Sequence, residues 1–231
     1  LTPKTNPFFE HADVQMWLAV RGGRDVGRIS AQIDHLATEV GTGKTGNFGM
    51  IAAEDDPAIF SLLFRTAEDW LKARGCDRAL GPFNLSINEE VGLLVDGFDS
   101  KPMVMMGHNL PQYEAWIERA GYTVVKRLLT YDLPVADGFP PLVNKIVELG
   151  EKNPRITIRT VDKKHFDRDA EIFIDILNDA WSENWGFVPF TETEKAYAAK
   201  KMAPLIIEGV NMIAEVDGEP VAFMMALPDV N

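Results

Sequence analysis

The chain has 231 residues, 46% of them hydrophobic and 10% aromatic, which is ample for packed cores and excludes a disordered segment. Its 23 basic residues face 35 acidic ones, and the net charge of −12 argues against nucleic acid or an anionic membrane surface as the main partner. Cys76 is the single cysteine, so no internal disulfide framework exists, and no apolar run reaches the roughly 18 residues of a membrane-spanning helix.

In chain order, the opening Leu1-Thr-Pro-Lys-Thr-Asn-Pro lacks the layout of a signal peptide, and with the lone cysteine it suits a reducing cytoplasm. Residues 15–34 read as a hairpin. A Gly-rich loop, Gly41-Thr-Gly-Lys-Thr-Gly46, leads to an apolar strand over 47–53. The loop ends like a phosphate-binding motif, but Thr38 stands where the earlier glycine is needed, and a surface loop is the expectation. Glu54-Asp-Asp-Pro57 reads as a helix start. Ile59, Leu62, Leu63, Thr66, Ala67, Trp70 and Leu71 then share one face of a helix to Arg74.

A short strand over 78–81 precedes the aperiodic segment 83–108, long enough to suggest a functional loop. Its polar cluster of Asn84, Ser86, Asn88, Glu89 and Glu90 fits either turn and capping chemistry or a polar pocket floor with Glu89 as base. His108 and Asn109, close to Tyr113, fit either a hydrogen-bonded cap or an acid–base and substrate-binding group. Histidines 11, 35, 108 and 165 show no metal-ligand spacing, so no metal is expected. A helix over 111–120 closes at Gly121, and 122–133 alternates like a strand.

Pro140-Pro141 and a short amphipathic helix, 142–149, mark a linker over 135–153. A strand over 155–159 and a helix over 166–180 follow, the latter with Phe166, Ala170, Phe173, Ile174 and Leu177 on its apolar face. The turn Trp181-Ser-Glu-Asn-Trp-Gly-Phe187 fits core packing or a substrate wall built from Trp181, Asn184 and Trp185. A helix over 191–207 leads to a last hairpin.

That last hairpin, Met212–Ala226, aligns without a gap on Trp17–Ala31. Identities fall at Ala19/Ala214, Gly23/Gly218, Val26/Val221 and Ala31/Ala226, and both turns end in Gly, as tight hairpins require. The expected fold class is therefore α/β, a mixed sheet flanked by helices in two related units: 1–134, the linker 135–153, and 154–231, the second incomplete.

Strand, helix, aromatic turn, helix and Gly-turn hairpin together resemble the opening of the GNAT acyltransferases (Gcn5-related N-acetyltransferases). Ile213-Ala-Glu-Val-Asp-Gly-Glu-Pro-Val-Ala-Phe223 is similar to that family's second and third strands, and Ala120-Gly121-Tyr122 to the end of its last helix. The resemblance implies an N-acyltransferase that uses acetyl-CoA or another acyl-CoA on a small amine or peptide. Glu89, His108 and Tyr113 would be its catalytic candidates. Asn84, Ser86, Asn88, Asn109, Trp181, Asn184 and Trp185 would bind substrate.

Where the family cradles a pyrophosphate, this chain reads Ala53-Glu-Asp-Asp-Pro-Ala58, without a glycine or a base, and Ile117 replaces an expected Tyr. The donor site is then expected beyond Asn231. The alternatives are a non-catalytic binding module and an aminoacyl or peptidyl transferase. The expected partners are a small molecule and a further copy of the chain, with neither nucleic acid nor membrane.

Overall fold

The structure, a computed structural model, describes residues 2–37 and 43–229. It is mixed α/β, with five α-helices and three separate sheets among those residues. Gly41 and Thr42 of the Gly-rich loop lie outside the described residues, as does Thr38. Two compact units emerge. One is built from the stretch up to Val125 together with Trp181–Glu194 and Asp229; the other comprises Lys126–Ala180 and Lys195–Pro228. The aromatic turn 181–190, assigned by sequence order to the second unit, thus groups with the first.

The first unit is built on a four-stranded sheet in the order β1 (Ala12–Arg21), β2 (Arg24–Asp34), β3 (Thr45–Ala53), β4 (Arg78–Leu80). The first three strands are antiparallel, and β4 runs parallel to β3. Gly22 and Gly23 both take positive φ in the β1–β2 turn, which side chains with a Cβ resist. Helix α1 (Pro57–Lys72) forms as its apolar spacing predicts, with Pro57 at its start and Asp56 as N-cap, accepting from Ala58 N at 2.8 Å. Its buried face of Ile59, Phe60, Leu63, Phe64, Ala67 and Leu71 packs on Ile29, Ala31, Ile33 and Phe48 of the sheet. Helix α2 (Tyr113–Arg119) adds Tyr113 to that core.

The opposite side of β2 is buried but polar. Ser30 and Gln32 are both 0% exposed. The Gln32 amide donates to the carbonyls of Phe83 (2.8 Å) and Leu85 (2.9 Å), while Ser30 Oγ donates to Gln32 Oε1 (3.0 Å). These bonds attach the otherwise irregular 83–95 segment to the sheet. Its only regular parts are β5 (Phe83–Asn84) and β6 (Glu90–Val91). Gly49 permits the close fit, because a Cβ there would lie 1.6 Å from the Phe83 carbonyl oxygen.

The second unit is an antiparallel meander of β7 (Ile156–Thr160), β8 (Met212–Val216) and β9 (Glu219–Met224), with helix α4 (Phe166–Ala180) against it. Phe173 stacks on Phe223 at 4.7 Å beside buried Phe166, Ala170 and Ile213. Asp169, 0% exposed, receives a two-pronged Arg159 contact (2.9 and 2.9 Å), and Arg159 also reaches Glu215 at 2.8 Å. The unit also holds α3 (Pro141–Glu151) and the residues of α5 (Glu192–Met202) from Lys195 onward.

The hairpins β1–β2 and β8–β9 share more than their turns. Each carries a register shift at the equivalent place, between Ala19 and Val20 and between Ala214 and Glu215. The strand predicted over 122–133 does not form. That stretch joins no sheet, and Leu128, Leu129, Tyr131 and Leu133 are exposed.

Candidate functional site

Within the first unit, a cavity of about 230 Å³ opens where β2 ends and β3 begins. Ile33, Leu80, Phe83, Leu85, Ile87 and Val188 give it apolar walls; Asp34, Asn47 and Ser86 bring polar groups, with His35 and Lys44 also lining it. The Gln32 bonds to Phe83 and Leu85 set one wall. The other comes from Gly186 and Val188, held by Asn88 Nδ2 donating to the Val188 carbonyl at 2.9 Å.

Behind this cavity lies a charged cluster. His11 Nδ1 is 2.9 Å from Asp34 Oδ1, and His11 Nε2 is 3.0 Å from Glu194 Oε1. The three side chains are only 11%, 6% and 12% exposed. A ring with a carboxylate on each nitrogen serves both only as the imidazolium, which has two donors. Burial works against that charge, but the bonds to Glu194 and Asp34 outweigh it, and the His11 pKa lies above its ordinary value.

Glu194 is itself held in place. Its Oε2 accepts from Thr191 N (2.9 Å) and Thr191 Oγ1 (3.0 Å), while Thr191 Oγ1 accepts from Glu194 N at 3.2 Å, a capping box at the start of α5. Asp34 Oδ1 also accepts from Leu36 N at 2.9 Å. Its second oxygen, Oδ2, has no hydrogen-bond partner among the described residues.

The residues singled out in the sequence scatter around this centre. Ser86 lines the cavity and accepts from Asn88 N at 3.1 Å. Asn84 accepts from Met50 N (2.6 Å), Glu89 accepts from Leu85 N (2.9 Å), and Asn109 pairs with Leu94 N and O (2.7 and 3.1 Å). These are backbone-bracing roles. Tyr113 is buried, its hydroxyl committed to Ala53 N and O at 2.9 and 3.2 Å, beside a shallow groove lined by Leu18, Arg28 and Glu54. His108, Trp181 and Asn184 are exposed, and Trp185 is half-buried; none of the four lines the cavity.

Sequence reading missed His11, Asp34, Gln32 and Glu194. Two signals were there: the Thr191-x-x-Glu194 capping pattern, and the Gly22-Gly23 turn, whose hairpin register sets Ala12 opposite Asp34 and so brings His11 alongside.

The acidic turn before α1 does not suit a pyrophosphate. Asp56 caps the helix and pairs with Arg21, Glu54 pairs with Arg24, and Asp55 accepts from Trp116 Nε1 at 2.8 Å. The helix N-terminus is therefore already occupied by a carboxylate, and the nearby cations are matched by acids.

Among the described residues, no group of three or more His, Cys, Asp or Glu is arranged for a metal ion. No helix among them is long and apolar enough to cross a membrane.

Comparison with known proteins finds curated relatives. A protein named bacterial ceramide synthase, from Caulobacter vibrioides (strain NA1000 / CB15N), is 50% identical over 232 residues, covering 100% of this chain and 60% of that protein. Protein YghO of Escherichia coli (strain K12) is 43% identical over 227 residues, covering 98% of this chain and 58% of that protein. The chain thus spans about three fifths of the length of the curated relatives it matches. It matches no protein-family model and no solved structure.

The ceramide name overturns the expected GNAT-type N-acyltransferase acting on a small amine or peptide, together with its non-catalytic and aminoacyl-transfer alternatives. That name places the Caulobacter protein in sphingolipid chemistry. The physical reason for the error is that hairpin and helix spacing report a scaffold, and a scaffold does not fix a substrate.

Proposed function

We propose that this chain works in sphingolipid synthesis, as the acceptor-binding part of an enzyme that joins a fatty acyl group to the amine of a long-chain amino alcohol. The observation that carries this reading is 50% identity, along the whole chain, to a protein named as a ceramide synthase. A ceramide is the fatty amide of such an amino alcohol. Forming it from an acyl thioester makes one N–C bond, breaks one C–S bond and releases a thiol with the proton lost from nitrogen.

The cavity suits the acceptor end of that reaction. At about 230 Å³ it falls below the roughly 300 Å³ at which ligand pockets usually begin. It therefore accommodates a polar head and the first carbons of a chain, with the tail leaving the site. Asn47, Ser86 and Asp34 beside Leu80, Phe83 and Leu85 supply the matching change from polar to apolar wall. The acyl donor is not assigned to the acidic 54–56 turn. We keep the cytoplasm as the compartment, in line with the single cysteine, Cys76.

A chimera tests the reading. This chain is substituted for the matched segment of the Caulobacter protein, and the chimera is expressed in a bacterium that makes no sphingolipid and is fed a long-chain amino alcohol. Ceramide in the lipid extract, by mass spectrometry, is the expected result. A chimera that folds while the unmodified Caulobacter protein alone produces ceramide would overturn it.

A further inference from the structure

We propose that Asp34, fixed in place by His11 and Glu194, is a cation receptor in the cavity wall that takes the ammonium group of a long-chain amino alcohol, so that the site selects its acceptor by the charge of a free amine. This rests on the sphingolipid reading above and adds the group that recognises the substrate.

The first support is an unfilled valence. The Asp34 side chain is 6% exposed and lines the cavity, yet among the described residues only one of its oxygens is used, by His11 and Leu36 N. An ionised carboxylate offers about four acceptor positions, so Asp34 retains acceptor capacity for a further donor. An ammonium supplies three donors and a full positive charge.

The second support is the balance of charge. The cluster sets two acidic side chains against one imidazole, so an ammonium on Asp34 supplies a cation for the second acid. Other cations near the cavity are directed elsewhere: Lys44 Nζ donates to the Arg74 carbonyl at 3.1 Å, and His35 Nε2 pairs with Asp13 at 3.2 Å. Neither makes an ion pair with Asp34.

The third support is rigidity. His11 and Glu194 act as positioning residues, because the imidazole holds Asp34 on one side and the capping-box glutamate on the other. A carboxylate fixed before the ligand arrives loses little freedom on binding.

The test uses calorimetry with a short-tailed 2-amino-1,3-diol that stays monomeric in water, and with its N-acetylated form, which carries no charge. Near neutral pH the amine should bind about tenfold or more tighter than the acetylated form, the scale of one buried charge-assisted contact. Asp34→Asn should abolish that preference in a variant whose circular dichroism shows the parent's secondary structure. A second measurement needs no variant. Bound ammonium beside Asp34 disfavours the imidazolium, so the His11 imidazole NMR signal should titrate at lower pH with the amine than with the acetylated form. Equal affinity for both probes, unchanged affinity in Asp34→Asn, or a His11 titration indifferent to the amine would each overturn the proposal.

The two readings can fail separately. Ceramide made equally well with Asp34→Asn in the chimera sinks the receptor and spares the function. Amine binding through Asp34 without ceramide does the reverse.

Discussion

A protonated His11 can donate to Asp34 and Glu194 together, whereas the neutral ring can donate to only one of them. The consequence for stability has a definite sign. The folded-state pKa of His11 is raised above its unfolded value of 6.5, so its stabilisation is fully present below pH 6.5 and is lost as pH rises through the higher folded value. Denaturant midpoints measured across that window should fall with pH in the parent and stay flatter in His11→Gln; parallel curves would remove His11 as the cause. Asp169 makes the complementary case. Contacts from Arg159 and the Asp162 amide hold its pKa below the ordinary carboxylate value against the effect of burial. Asp169→Ala would leave Arg159 only its Glu215 contact and take away the acceptor of the Asp162 amide, and it should cost on the order of 2 kcal/mol in chemical unfolding. A loss below about 1 kcal/mol would show that the contact is solvent-screened.

At the scale of elements, the β1–β2 hairpin, β3, α1, β4 and α2 were legible in the sequence, α1 from apolar positions at helical spacing and the hairpin from its Gly-Gly turn. The stretch 122–133 alternates like a strand but joins no sheet. Alternation specifies which face would be buried, whereas a strand also needs a neighbour to receive its backbone hydrogen bonds, and periodicity carries no information about neighbours.

The cavity wall was hidden for a related reason. The 83–95 segment is irregular and is held by Gln32, a residue that reads as an ordinary polar position in a strand. Gln32→Leu would leave the Phe83 and Leu85 carbonyls and the Ser30 hydroxyl without their partner. It should cost roughly 2–4 kcal/mol and speed hydrogen exchange across residues 83–87. Unchanged exchange there would mean that other contacts hold the wall. Gly49→Ala should fail more severely, since the added methyl meets backbone rather than a movable side chain. A thermal midpoint within a few degrees of the parent would contradict that close approach.

For the whole molecule, each unit has its own core, and the site belongs to one of them. The chain carries −12 overall, and its cavity sets Asp34 beside apolar walls together with Asn47, Ser86, Lys44 and His35, the arrangement on which the proposed ammonium receptor rests. Composition could not reveal this, because the chemistry depends on residues 11, 34 and 194, brought together by a hairpin register and a helix cap. The proposed acceptor class was equally invisible: no motif in the chain spells lipid, and the proposal takes it from the name of the Caulobacter relative.

The most direct test of the account is photocrosslinking with a long-chain amino alcohol that carries a diazirine a few carbons from its amine. The account predicts labelled peptides from 80–87 and 186–188, with labelling competed by the short-tailed 2-amino-1,3-diol. Labelling confined to other surfaces, or labelling at these peptides that the competitor leaves unchanged, would contradict it.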